Sequence, residues 1–229
     1  MKLPTPLHLW SLSPTRAVSM QKRLAARVHT SALSKDVRLV AGADCAFVES
    51  DRIIACWVVW DISDGTLVEK QHVVRAVRFP YVPGLLSFRE APALIAAARK
   101  LRTEPHVFMV DGHGLAHPRR FGLACHLGLF LGRPTMGCAK SRLCGVNCDP
   151  ADRRGAIASL TDREGEIGRV VRTQRGVRPV YVSIGHLITL DDAVRLTLES
   201  CTKFRLPEPT RLAHAEVSRL RRSLSLEIA

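Results

Sequence analysis

Asp111-Gly112-His113-Gly114 closes the apolar run His106-Val107-Phe108-Met109-Val110. That run is too short for a buried helix and reads as a strand. A lone carboxylate is expensive to bury, so Asp111 belongs at the strand's end, in a crevice where a cation can hold it. The two glycines let the chain bend sharply and let a ligand come close. His117-Pro118-Arg119-Arg120 follows, adding a titratable ring and two guanidinium forks. An acid beside a basic cluster points to metal-dependent chemistry on a phosphate-bearing substrate.

Three further carboxylates stand where such a site would need them. Asp44 interrupts the strand-like run Leu39–Val48, Glu90 opens a predicted helix, and Asp191 opens a later one. Taken singly, Glu90 and Asp191 also read as helix caps, and Asp44 and Asp111 as partners for one of the many arginines. Taken together, an all-oxygen set selects Mg²⁺, with Mn²⁺ as a substitute, over zinc. Such ions activate water and neutralise charge on a phosphate in in-line displacement.

The elements that must position these acids follow from the pattern. Residues 1–13 read as a loose arm and 14–30 as an amphipathic basic helix. Strand-like runs at about 37–48, 52–61 and 66–78 are joined by short turns, which favours antiparallel pairing. Next come a helix over Glu90–Leu101 with Pro92 in its first turn, a strand at 106–111, a helix at 119–131 and a strand near 134–139. Residues 141–168 read as irregular. Strands near 168–174 and 178–184, a helix from Asp191 or Asp192 to Cys201, and a basic tail from about 213 complete the chain. Three antiparallel strands followed by alternating helices and strands make an α/β plan with a mixed sheet flanked by helices, the element order of ribonuclease H-like nucleases.

With 229 residues and 46% hydrophobic composition, the chain suits a single domain with a real core. Its 34 Lys and Arg against 21 Asp and Glu give a net charge of +13, which favours a polyanionic partner. Seven cysteines, an odd count, argue against a disulfide framework. Cys144 and Cys148 lack the second pair that a structural zinc needs. The first ten residues make a poor signal peptide, and no apolar stretch approaches the ~20 residues that span a bilayer. A cytoplasmic protein is expected, with no membrane partner and a monomeric state.

With these residues in view, the chain resembles the endonuclease V family of deoxyinosine-specific repair nucleases, over roughly residues 38–212. The resemblance rests on Ala41-Gly42-Ala43-Asp44, on Pro80-Tyr81-Val82-Pro83-Gly84-Leu85-Leu86-Ser87-Phe88-Arg89-Glu90, and on Asp111-Gly112-His113-Gly114. It extends through His117-Pro118-Arg119-Arg120, Ala139-Lys140-Ser141-Arg142-Leu143, Gly185-His186 and Arg205–Arg211. It implies a ribonuclease H-like fold and Mg²⁺-dependent cleavage of the second phosphodiester 3′ to the lesion, leaving 3′-hydroxyl and 5′-phosphate ends. Asp44 and Asp111 resemble the principal metal ligands and Glu90 the third acid. Asp191, five residues after His186, matches the fourth, although Asp192 beside it leaves open which one faces the metal. His117 and Lys140 match positions near the scissile phosphate.

The same resemblance makes Tyr81, stiffened by Pro80 and Pro83, a wedge that enters the duplex as the damaged base swings out. The flipped hypoxanthine would be read by backbone groups near Gly84, Leu85, Gly112 and Gly114, with His113 among them. The expected partner is DNA carrying deoxyinosine or other deaminated or mismatched bases. Two alternatives stand: an inosine-specific endoribonuclease on the same scaffold, and a non-catalytic nucleic-acid-binding module. The presence of all four acids weighs against the second.

Overall fold

Residues 1, 3–33, 36–49 and 51–226 are described by the computed structural model. Strands β1 (Leu39–Val48), β2 (Arg52–Asp61) and β3 (Thr66–Ala76) form an antiparallel meander. β4 (Val107–Val110) and β5 (Thr135–Ala139) then add in parallel beside β1. β6 (Ile157–Asp162), β7 (Gly165–Val171) and β8 (Val180–His186) complete one eight-stranded mixed sheet in the order β3-β2-β1-β4-β5-β8-β7-β6. The α/β plan expected from the pattern is the plan observed.

Both faces of the sheet are covered. Helices α2 (Leu86–Ala98) and α3 (Leu123–Leu131) bury Ala41, Ala43, Trp57, Phe108 and Val110 on one face. Trp57 donates its indole N–H to the Leu94 carbonyl at 2.8 Å, which fixes α2 on β2. On the other face α4 (Leu190–Glu199) covers Val40, Met109, Met136 and Val182. There α5 (Glu208–Leu226) covers Val48, Ile54, Cys56 and Val58. α1 (Pro14–Ala25), capped by Ser13, packs Ala17 and Leu24 toward the loops that follow β3 and β4.

Several boundaries differ from expectation. α2 starts one turn early, so Glu90 lies in its second turn and caps nothing, while Pro92 falls inside the helix. α3 begins at Leu123 and not 119, because Gly122 donates back to the Gly114 carbonyl and folds 114–122 into a closed loop. Residues 157–171 form the β6–β7 hairpin; β6 is an edge strand with weak apolar alternation, so periodicity missed it. The arm over 1–13 is docked: Met1, Leu3, Leu7 and Trp10 pack on the core, and the His8 and His126 rings meet Nε2 to Nε2 at 2.8 Å. The expected basic tail is the body of α5, seated on the sheet through Ala213 and Val217.

The small residues before Asp44 have a packing reason. A Cβ on Gly42 would lie 2.6 Å from the Pro209 Cβ and closer still to the Pro209 and Thr210 backbone. The first turn of α5 therefore rests directly on β1. We expect Gly42→Ala to cost about 1–3 kcal/mol, the range for overpacking where backbone cannot yield. Chemical denaturation would read this; an unchanged midpoint would show that α5 is not held there.

Candidate active site

The carboxyl ends of β4 and β5 meet the middle of the parallel strand β1. β4 stops at Val110, level with Ala43 of β1, so Asp44 and Asp111 stand side by side. β5 stops at Ala139, and the next residue, Lys140, forms an ion pair with Asp111. Open α/β sheets place ligands at this edge. Asp44 accepts a 2.6 Å hydrogen bond from Nδ1 of His214 on α5, which the Gly42–Pro209 contact brings into place. Glu90 approaches from α2.

The electrostatics tie these acids together. Burial raises the Asp44 carboxyl above its ordinary value; the His214 bond opposes that, and the Asp111 charge adds to it. Burial, followed by the charges of Asp44 and Asp111, pushes Glu90 up to about 8. The neighbouring Arg89, which lies over the Phe47 ring at 4.6 Å, offsets only part of that. Carboxylates that raise one another's proton affinity leave a site short of positive charge. Lys140 supplies some of it. Among the described residues, no three carboxylate, imidazole or thiol groups already close on one point as a finished metal cage. The donors nonetheless form an all-oxygen set, which suits a hard divalent cation.

Beside Asp111 and Lys140 opens a cavity of about 380 Å³, within the range of small-ligand sites. Tyr81 and Pro83 form one lip, and Ser141, Arg142 and Leu143 the other. Tyr81 is 72% exposed, so its ring packs on no core. Pro80 and Pro83 are exposed with it. The segment is anchored below by Gly84, whose carbonyl accepts from Gln21 Nε2 (3.0 Å), His117 Nε2 (3.1 Å) and Arg119 Nη2 (2.7 Å).

That anchor corrects several assignments. His117 is 4% exposed and commits both ring nitrogens inside the protein: Nε2 to Gly84 and Nδ1 to the Arg119 N–H. Burial, then the Arg119 charge, lowers its pKa to about 4, so it is neutral and positions the loop while lining the cavity. The Gly84 carbonyl is already taken, and Leu85 is buried against Phe79 and Phe88. Gly114 serves packing: a Cβ there would lie 2.6 Å from the Ile184 carbonyl carbon and closer to its oxygen, while its N–H bonds Ser183 Oγ at 2.9 Å. Gly112 and His113 line the cavity, as do Gly84 and His117. His113 donates Nε2–H to the Ser141 carbonyl at 3.0 Å, and its Nδ1 is buried without a partner.

Asp191 stands apart from the cluster. Its carboxylate is 84% exposed and paired with Arg169 of β7, and its charge is felt by neither Asp44 nor Glu90. Asp192 is occupied at the N-terminus of α4, bonding Thr189 and the Leu33 N–H. The fourth group at the centre is His214, which sequence reasoning missed. Its one sequence signal is its place three residues after Arg211, on the face of a helix opened by Pro207-Glu208-Pro209. Cys144 and Cys148 carry free thiols, as do the other five cysteines.

Comparison with known proteins gives a consistent picture. Residues 22–215 match the family model for endonuclease V. The chain is 47% identical to endonuclease V of Gloeobacter violaceus over 212 residues, covering 91% of this chain and 86% of that protein. The crystal structure of endonuclease V from Streptomyces avermitilis superposes with a TM-score of 0.89 at 41% identity, covering 94% of this chain and 96% of that one. The Ciona intestinalis endonuclease V, solved in complex with a 24mer DNA containing an inosine followed by a ribo-adenosine, superposes with a TM-score of 0.80 at 25% identity, covering 92% and 98%.

Proposed function

Because the chain belongs to the endonuclease V family, we propose that it is a Mg²⁺-dependent deoxyribonuclease that recognises deoxyinosine. It hydrolyses the second phosphodiester 3′ to the lesion and leaves 3′-hydroxyl and 5′-phosphate ends. The single observation that carries this reading is the convergence of Asp44, Asp111 and Glu90, coupled through their charges, beside a base-sized cavity. These acids would hold Mg²⁺, or Mn²⁺ in its place, and the ion's contribution there is positive charge at the cleaved phosphate and a more acidic water.

The chain's own groups do the remaining work. Lys140, paired with Asp111, carries an ammonium that can transfer to a phosphate oxygen as the strand arrives. His214 is held by Asp44 through Nδ1, which orients the ring to move a proton at Nε2. The flipped base enters the cavity between the Tyr81 lip and the Ser141–Leu143 lip, where Gly112 permits close approach. Extrusion costs a few kcal/mol, least for a mispaired base, and this favours the lesion. Exposed Tyr81, on a loop clamped at Gly84, fills the gap left in the stack.

One observation favours a second reading, cleavage of inosine-containing RNA: the Ciona relative was solved with a ribonucleotide following the inosine. The 2′-hydroxyl is the discriminator. Matched inosine-containing DNA and RNA oligonucleotides, each with Mg²⁺ and with EDTA, test both readings. Rapid Mg²⁺-dependent cleavage of the DNA supports the first. Cleavage of RNA alone replaces it with the second, and cleavage of neither leaves a nucleic-acid-binding module.

Tyr81→Ala should weaken discrimination between inosine-containing and normal duplex by about 1–3 kcal/mol, the worth of one stacking contact. Thermal melts should be unchanged, since the ring is exposed. Single-stranded inosine substrate should suffer less, having less stacking to replace. Equal losses on both substrates would remove the wedge role.

A further inference from the structure

α5 continues well past the acid cluster, and one of its faces is turned mostly to solvent. The helix runs with β1, from the contact at Gly42, past His214 at Asp44, toward the end of β1 at Val48. Its inner face, Ala213, Val217, Leu220 and Leu224, packs on the sheet. The opposite face carries His214, Ala215, Ser218, Arg221, Arg222 and Ser225, at i, i+1, i+4, i+7, i+8 and i+11, one continuous stripe in a helix. All are exposed except Ser218, which is partly so.

The charges on this helix are sorted. Its two acids are buried and paired off the stripe: Glu208 with Arg211, and Glu216 with Lys70 and Arg219. Arg221 and Arg222 have no acid partner among the described residues. Among the described residues the stripe thus carries cations and no acid, with small side chains between the charges, and it starts at the candidate catalytic centre. Two guanidinium groups without an acid partner among the described residues, on a face lined by alanine and serines, offer close approach to a chain of regularly spaced anions.

We propose that this stripe is a track for the nucleic-acid backbone, with Arg221 and Arg222 neutralising phosphates of the duplex several steps from the one at His214. The inference rests on the proposed nuclease reading for its occupant. Seven residues of helix separate His214 from Arg221, roughly 10 Å at 1.5 Å per residue. That is about three base-pair steps of 3.4 Å. Contacts of this kind set affinity and register and carry no base information.

The test compares Arg221→Ala/Arg222→Ala with Arg99→Ala/Arg102→Ala, which removes equal charge at exposed positions near the opposite, amino-terminal end of β4. Binding to undamaged duplex is read by fluorescence anisotropy across 50–200 mM salt (the range over which phosphate contacts are usually resolved). The log–log salt slope of the α5 variant should shrink by about 2, one per lost phosphate contact, while the control keeps its slope. This readout needs no cleavage, so it stands even if the inosine-nuclease reading fails. On cleavable inosine duplexes, trimming one flank to within about three base pairs of the cut should erase the difference between wild type and the α5 variant. Trimming the other flank should not. Equal slopes for the two variants, or a deficit indifferent to both trimmings, would overturn the track and leave the arginines as a solvated surface.

Discussion

Asp44→Asn and Asp111→Asn should each lower cleavage of inosine-containing duplex by on the order of 10³-fold or more, the scale on which one member of a catalytic unit is missed. Lesion binding should persist within a few-fold. Asp44 lies within β1 and Asp111 just past the end of the neighbouring β4, and the cavity that would hold the base is lined by Asp111 together with Gly112, His113 and the Tyr81 loop. Most of that lining is not carboxylate, so recognition should outlast the loss of either acid. The amides are nearly isosteric, so folding should be preserved. Asp44→Asn also weakens the seat of His214, and should be the more damaging where proton movement limits the rate. Single-turnover cleavage together with a gel-shift assay separates the two effects. Near wild-type cutting by either variant would dissolve the acid centre; joint loss of binding and cutting would mean that the acids shape the pocket instead.

Glu90→Gln should abolish cleavage and at the same time stabilise the metal-free protein at alkaline pH. Glu90 titrates near 8 in the fold against an ordinary 4.5, chiefly because of burial and then because of Asp44 and Asp111. An acid whose pKa is raised binds its proton more tightly when folded. Its contribution is complete below about pH 4.5 and is lost as the pH climbs to 8. Every tenfold gain in proton affinity corresponds to about 1.4 kcal/mol; residual solvent contact reduces the total, so a gain on the order of 2–3 kcal/mol is expected for the glutamine variant at pH 8. In EDTA, the melting temperature of the wild type should fall between pH 5 and 8 more than that of Glu90→Gln. Added Mg²⁺ should narrow the gap by supplying the missing positive charge, a pattern typical of sites that give up stability for function. Parallel pH profiles would show that Glu90 feels no such field.

The gain and loss in these two experiments come from residues of very different legibility. Asp44 and Asp111 are readable because a carboxylate inside or at the end of an apolar strand is too costly to keep without a cation to hold it. Tyr81 is readable because prolines on both sides leave a ring nowhere to fold away. The meander and the two crossovers follow from turn spacing and from alanine-rich helical runs. These are local properties, written within ten or so residues.

What requires the tertiary structure is each case where a residue's partner lies far along the chain. In one dimension the reading settles on Asp191 for the fourth group and nothing singles out His214. Only the seating of α5 on Gly42 brings His214 to Asp44, while α4 directs Asp191 to Arg169 on the far side of β8. His117 has the chemistry of a phosphate contact, yet its two nitrogens are committed to Gly84 and Arg119. Gly114 has the backbone freedom of a ligand's doorway and is a packing contact with β8. Sequence by itself determined the chemical inventory, the acids, the cations and the rigid aromatic lip, because residue type and local period carry that information. Which of them meet was decided by the order of strands in the sheet and by the close contacts that glycine allows, since hydrogen bonds and charge pairs act over a few ångströms of space and not along the chain.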